Sequence, residues 1–225
     1  MPIRKTPFVN ENIYHVFNRG VNRQPIFLTK RDYARAVELL KYYSAENPPL
    51  RYSKFLIQPN KERERMLSEL QTQQKRADII CFCLMPNHFH LLLKQNQENG
   101  LTSFVRNFQI SYTRYFNVKR KRIGPLLQGQ FKAVRIETDD QLLHVSRYIH
   151  LNPYSSYIVK HIEQLDVYPW SSYMEYTGVI ETQICQKDLV FSNIKDTKEY
   201  KKFVSDQADY QRKIEQIKHL IIESN

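Results

Sequence analysis

The order of periodic segments predicts an α+β domain. It is a ferredoxin-like split βαβ antiparallel sheet with its two helices on one face, another helix after the last core strand, and a helical C-terminal extension. Three observations carry this. Four short apolar or alternating stretches read as strands, beginning at Ile13, Ile79, His88 and Gln130. Two stretches with helical spacing separate them in the order strand, helix, strand, strand, helix, strand. Between the second and third strands only Pro86-Asn87 remains, which leaves room for a tight hairpin turn.

Taken in order, Ile13-Tyr14-His15-Val16-Phe17 is the first strand, followed by the basic loop Asn18-Arg19-Gly20-Val21-Asn22-Arg23, which Gly20 can turn. Thr29 is an N-cap, with Asp32 three residues on. Tyr33, Ala36, Val37, Leu40 and Tyr43 then predict a helix over about 30–44, which Asn47-Pro48-Pro49 closes off. Residues 46–76 read as an insertion around a charged helix, Lys61 to Leu70, whose charges form a solvated face, with a DNA-facing role as the alternative. The hairpin follows. After Gly100, the residues Leu101, Phe104, Val105, Phe108, Tyr112, Tyr115 and Phe116 make one apolar stripe, so both tyrosines belong to the core. Gln130 to Ile136 alternates as the fourth strand. Thr138 and Gln141 form a capping-box signature for a helix that runs to about Leu151, where Asn152-Pro153 should end it. From Asp196 on, Tyr200, Phe203, Val204, Ile214, Ile217, Leu220 and Ile221 predict one or two amphipathic helices.

The composition narrows the partners. The formal charge of +11 favours a polyanion, nucleic acid before an anionic membrane surface, and 15 Tyr and 12 Phe interleaved with the cations suit base stacking. Lys119-Arg120-Lys121-Arg122 is a run of four cations suited to phosphate contact. No apolar run approaches membrane-spanning length, and Met1-Pro2-Ile3-Arg4-Lys5 lacks a signal-peptide core. Cys81, Cys83 and Cys185 read as small buried hydrophobes rather than a disulfide framework. A cytoplasmic protein is expected.

Chemistry is concentrated in two places. His88 and His90 are two apart at the start of a strand, so their imidazoles project from one face, as half of a metal site would. Tyr148 and Asn152 are four apart on a predicted helix and share a face near its end. His144 lies one turn before Tyr148, within reach of its proton. By itself this pattern does not single out one tyrosine among fifteen.

Five segments taken together resemble the REP-associated tyrosine transposases, single-tyrosine HUH transposases of the insertion-sequence-200-like kind. They are Tyr14-His15-Val16-Phe17-Asn18-Arg19-Gly20, Met85-Pro86-Asn87-His88-Phe89-His90, Gln128-Gly129, Ser146-Arg147-Tyr148-Ile149-His150-Leu151-Asn152-Pro153 and Tyr168-Pro169-Trp170-Ser171-Ser172-Tyr173. The resemblance covers residues 10–178, with 179–225 left as the helical extension. It implies that His88-Phe89-His90 is the HUH motif, that Tyr148 is the nucleophile, and that Asn152 joins His88 and His90 on Mg²⁺ or Mn²⁺. It further implies a single-stranded DNA hairpin as substrate and a 5′-phosphotyrosine intermediate. Arg19, Arg23, Lys119, Arg120, Lys121, Arg122 and Lys132 are the expected DNA contacts. Where many relatives carry Gln-Gly-Arg, this chain has Gln128-Gly129-Gln130 and so lacks one cation. The chain is expected to act as a monomer or homodimer, away from membranes.

Two rival readings make different predictions. A hairpin-binding protein on DNA or RNA with dispensable catalysis would bind without cleaving. A metal nuclease with water as nucleophile would cleave without a covalent adduct.

Overall fold

The computed structural model describes residues 7–214. Four strands, β1 (Ile13–Arg19), β2 (Ala77–Met85), β3 (His88–Gln95) and β4 (Lys132–Ile136), form one sheet in the order β2-β3-β1-β4. Every pairing is antiparallel. Helices α1 (Lys30–Ser44) and α4 (Gly100–Lys119) complete the split βαβ frame. The predicted α+β, ferredoxin-like arrangement is therefore the one found.

The two helices cover one face of the sheet. Phe89, Leu91 and Leu93 of β3 stand opposite Asn18, Val16 and Tyr14 of β1, and Phe89 packs edge-on against Phe108 of α4 with ring centroids 5.3 Å apart. Helix α1 starts where expected. The Thr29 side chain accepts from Asp32 N, and Asp32 accepts from Thr29 N, which satisfies two of the orphan donors at the helix start. Asp32 is fully buried and also binds the far end of α4, through Tyr115 Oη at 2.9 Å, Lys119 Nζ at 2.8 Å and Arg120 Nη2 at 2.5 Å. Burial alone would raise this carboxyl. The hydrogen bonds from Lys119, Arg120 and Tyr115 outweigh it and hold the group well below the usual carboxylate range.

Between α1 and β2 the chain makes an excursion through α2 (Tyr52–Phe55) and α3 (Asn60–Thr72). It leaves and returns at one point, where Ala45 bridges Lys75 and Arg76 N donates to Ser44 O. The charges of α3 lie on a solvated face, with Arg65 paired to Glu62 and Glu69, while Met66 is buried.

Helix α5 (Asp139–Ser155) lies against the opposite face of the sheet, as the contacts of its Tyr148 ring with His15 and His90 establish. It continues through Pro153, contrary to the expected stop near Leu151. Proline removes one ladder bond, but it sits within one turn of the helix end, and Leu151, Asn152, Pro153, Tyr154 and Ser155 are all buried. Tertiary packing outweighs the local preference.

The stretch from Trp170 to Ser172 lies along the free edge of β2. Leu84 N donates to Trp170 O and Ser172 N to Phe82 O, so this edge is covered. The aromatic cluster thus packs on the sheet, with Trp170 stacked 4.9 Å from Tyr33. Short helices α6 (Tyr173–Tyr176) and α7 (Asp188–Phe191) lead to α8 (Thr197–Ser205), capped by the Asp196 side chain, in the region where the sequence predicts an amphipathic helix. Tyr200 and Val204 of α8 are buried. The expected apolar positions Ile217, Leu220 and Ile221 lie outside the described residues. Cys81, Cys83 and Cys185 are free and buried. No helix among the described residues is long and apolar enough to cross a membrane.

Candidate active site

A two-residue turn joins β2 to β3, with Met85 paired to His88. The even spacing of β3 turns His88, His90 and Leu92 to the α5 side and the apolar residues between them to α1 and α4. The rings of His88 and His90 meet at 5.0 Å, perpendicular to each other. Tyr148 places its ring edge-on to His90 at 5.5 Å. One turn later on α5, Asn152 donates from Nδ2 to Tyr148 O at 2.8 Å, and its side chain hydrogen-bonds His88. The structure therefore brings His88, His90, Tyr148 and Asn152 together from two elements far apart in sequence.

Two amide side chains, those of Asn87 and Asn152, hold His88. The Asn87 amide is oriented by donation from Nδ2 to Arg23 O, so its Oδ1 faces His88 Nδ1 at 2.6 Å. Asn152 is oriented by its donation to Tyr148 O, which leaves its Oδ1 for His88. His88 therefore faces two carbonyl oxygens. Burial first, and the nearby Arg19 charge second, push its pKa down to about 4, so near neutrality it has one N–H for two acceptors. His88 can thus donate to Asn87 or to Asn152 but not to both at once. A donor set of two imidazoles and an amide oxygen fits a divalent ion that also takes phosphate oxygens. Among the described residues there is no cluster of three or more His, Cys, Asp or Glu fit to hold a metal.

A third histidine joins the group. His15 of β1 hydrogen-bonds His90, Nε2 to Nδ1, at 2.9 Å, and its ring lies 5.9 Å from Tyr148. Burial pushes its pKa down to about 4. Sequence reasoning noted this residue only as part of a motif. The available signal was parity: His15, Phe17 and Arg19 alternate with buried Tyr14, Val16 and Asn18. That parity does not tell which strand pairs with β1.

The expected DNA contacts separate into two groups. Arg19 stands opposite His88, Lys132 opposite Phe17, and Arg23 lies on the loop whose carbonyl holds Asn87; all three are exposed beside the histidines. Three backbone bonds join their loops to the hairpin turn and to the segment near Leu126: Gly20 N to Asn87 O, Val21 N to Leu126 O and Gln128 N to Arg19 O. Gly20 itself has ordinary extended angles, φ −61° and ψ 144°. Glycine is required there because a Cβ would stand 2.2 Å from Gln24 O. The turning falls instead to Asn22 and Arg23, at φ 53° and 57°.

The four-cation run is elsewhere, at the end of α4 on the other side of the sheet. Lys119 and Arg120 bind Asp32, and Arg122 binds Asn117 Oδ1 and the carbonyls of Gly124 and Pro125. Lys121 and Arg122 line an open groove of about 770 Å³ with Arg114 and Ile110. His144 is not drawn into the cluster either. Its Nδ1 meets Arg147 at 2.6 Å and its ring faces Phe203 of α8. His150 is fully buried, bonded to Tyr200 Oη and Ser172 Oγ, and burial pushes its pKa down to about 3.

With this geometry in hand, the relationships of the chain are informative. The family model described as IS200-like transposase matches residues 49–152. Among solved structures, a REP-associated tyrosine transposase bound to a REP hairpin is 14% identical, with a TM-score of 0.54, covering 83% of this chain and 98% of the other. A transposase from Deinococcus radiodurans described as putative is 12% identical, with a TM-score of 0.37, covering 66% of this chain and 95% of the other. No curated protein matches the chain. The likeness to the hairpin-bound structure extends to the fold. The matched residues 49–152 carry His88, His90, Tyr148 and Asn152, and the match agrees with the resemblance that the sequence motifs carry.

Proposed function

We propose that this transposase relative is a metal-dependent endonuclease and strand transferase for single-stranded DNA hairpins, with Tyr148 as nucleophile. In this reading residues 10–178 form the transposase domain, with 46–76 inserted in it and 179–225 as its helical extension. The observation that carries the proposal is the convergence of Tyr148 and Asn152 on the histidine pair across the sheet–helix boundary. The solved structure with this fold holds a REP hairpin, which makes a stem-loop the natural first substrate.

His88, His90 and Asn152 would hold Mg²⁺ or Mn²⁺, whose chemistry is to polarise the scissile phosphate. Arg19, Arg23 and Lys132 would receive the backbone on the rim of the site. The Tyr148 phenol attacks phosphorus; a P–Oη bond forms, the P–O3′ bond breaks, the phenolic proton passes to solvent, and the leaving 3′ oxygen takes one proton from solvent to become the 3′-hydroxyl. The free Tyr pKa is near 10, so a phenol needs such help at neutral pH. The phosphotyrosine ester then retains the energy for rejoining by a second 3′-hydroxyl, without a nucleotide cofactor.

The test is incubation of the protein and Mn²⁺ with 5′- and 3′-labelled hairpins from the DNA flanking its gene, followed by denaturing electrophoresis. A label shifted to protein size, absent with chelator and in Tyr148→Phe, is the expected result. Cleavage without an adduct would favour water as nucleophile. Binding without cleavage would favour the binding-protein reading.

A further inference from the structure

We infer that His15 is a positioning residue, which accepts the Nδ1 proton of His90 and so holds His90 in the tautomer whose Nε2 lone pair is available to a cation. The inference rests on the metal reading proposed above.

The argument is geometric. His15 Nε2 and His90 Nδ1 are 2.9 Å apart, with the rings 24° from parallel, so one proton is shared between two nitrogens. If His15 supplied it, a neutral His90 would carry its own proton on Nε2 and could not ligate. If His90 supplies it, Nε2 bears the lone pair. An imidazole ligand generally has its other nitrogen engaged in this way, which fixes both tautomer and ring rotation.

The neighbours lock the pair in place. His15 stands on β1 opposite Leu92, two residues along from the Phe17–His90 pair and on the same face, so it reaches His90 diagonally across the strand boundary. Phe17 packs at 5.1 Å from His15 and 5.8 Å from His90, and Tyr148 closes the remaining side at 5.9 Å from His15. His88 has its own orienting partner in Asn87, so each proposed imidazole ligand has a neighbour holding its Nδ1.

The experiment uses the full chain and two readouts. Long-range ¹H–¹⁵N spectra of the histidine rings in metal-free protein should show His90 protonated at Nδ1 and His15 unprotonated at Nε2. Titration with Mn²⁺ alone, followed by the free-ion EPR signal, should show His15→Phe at least ~10-fold weaker than wild type. His15→Gln, whose Oε1 can accept the same proton, should stay within about threefold, a rescue that mere packing would not produce. His90 protonated at Nε2, or Mn²⁺ affinity equal in wild type and His15→Phe, would overturn the role of His15. Absence of Mn²⁺ uptake by wild type would instead overturn the cation reading beneath it.

Discussion

One face of the sheet turns Tyr14, Val16, Phe89 and Leu91 toward α1 and α4; the other turns His15, Phe17, His88 and His90 toward α5. The first face is apolar and its charges are used for anchoring: buried Asp32 pairs with Lys119 and Arg120 and so ties the start of α1 to the end of α4. The second face holds three imidazoles and a tyrosine, with exposed cations left on its rim. The same pleat serves both, because alternate residues of one strand must point to opposite sides. A strongly basic chain can therefore commit some cations to internal ion pairs and leave others exposed, and residue type alone does not tell which is which.

The widest separation between the faces is expected from Tyr148→Phe. It should lower adduct formation at least ~1,000-fold, about 4 kcal/mol in barrier, with hairpin affinity and urea midpoint close to wild type. On the other face Phe108→Ala should cost about 3–5 kcal/mol of stability, read from the urea midpoint, because Phe108 is buried against Phe89. A midpoint unchanged by that substitution would contradict the apolar-core assignment.

Acid should act on the α5 side. His15, His88 and His150 have folded pKa values of about 4, 4 and 3, all below the free value near 6.5. The unfolded chain thus binds more protons between these limits. The stability contributed by the neutral rings is complete above about pH 6.5 and is lost as pH falls toward 4, by on the order of a few kcal/mol. Urea midpoints between pH 7.5 and 4.5 should fall, and less steeply in His150→Asn. An unchanged slope in that variant would remove His150 from the account.

The smallest effects distinguish the two cation groups. Arg120→Ala should lose about 1–2 kcal/mol of stability by leaving Asp32 less well paired, with little change in hairpin affinity. Arg23→Ala should do the reverse. It should weaken hairpin binding and reduce the slope of log affinity against log salt by about one, at unchanged stability. Parallel losses of hairpin affinity in both variants would erase the distinction.

Much of this was legible without a structure. Thr29 and Asp32 mark the start of α1, the stripe from Leu101 to Phe116 marks α4, and a two-residue turn followed by His-Phe-His determines which imidazoles share a face. These are local matters of capping, periodicity and pleat, settled within a few residues. Tyr148 and Asn152 are likewise a one-turn relation on α5. The pairing of β1 with β3, which puts His15 on His90, joins residues 75 apart, and no local signal encodes it. The use of Lys119 and Arg120 on Asp32 joins α4 to α1 across the domain. The helix persists through Pro153 because buried neighbours outweigh one lost hydrogen bond. Sequence by itself determined the elements and the side each residue presents, since backbone geometry is local. Tertiary structure decided which sides meet, since strand order and packing sum small energies over distant residues.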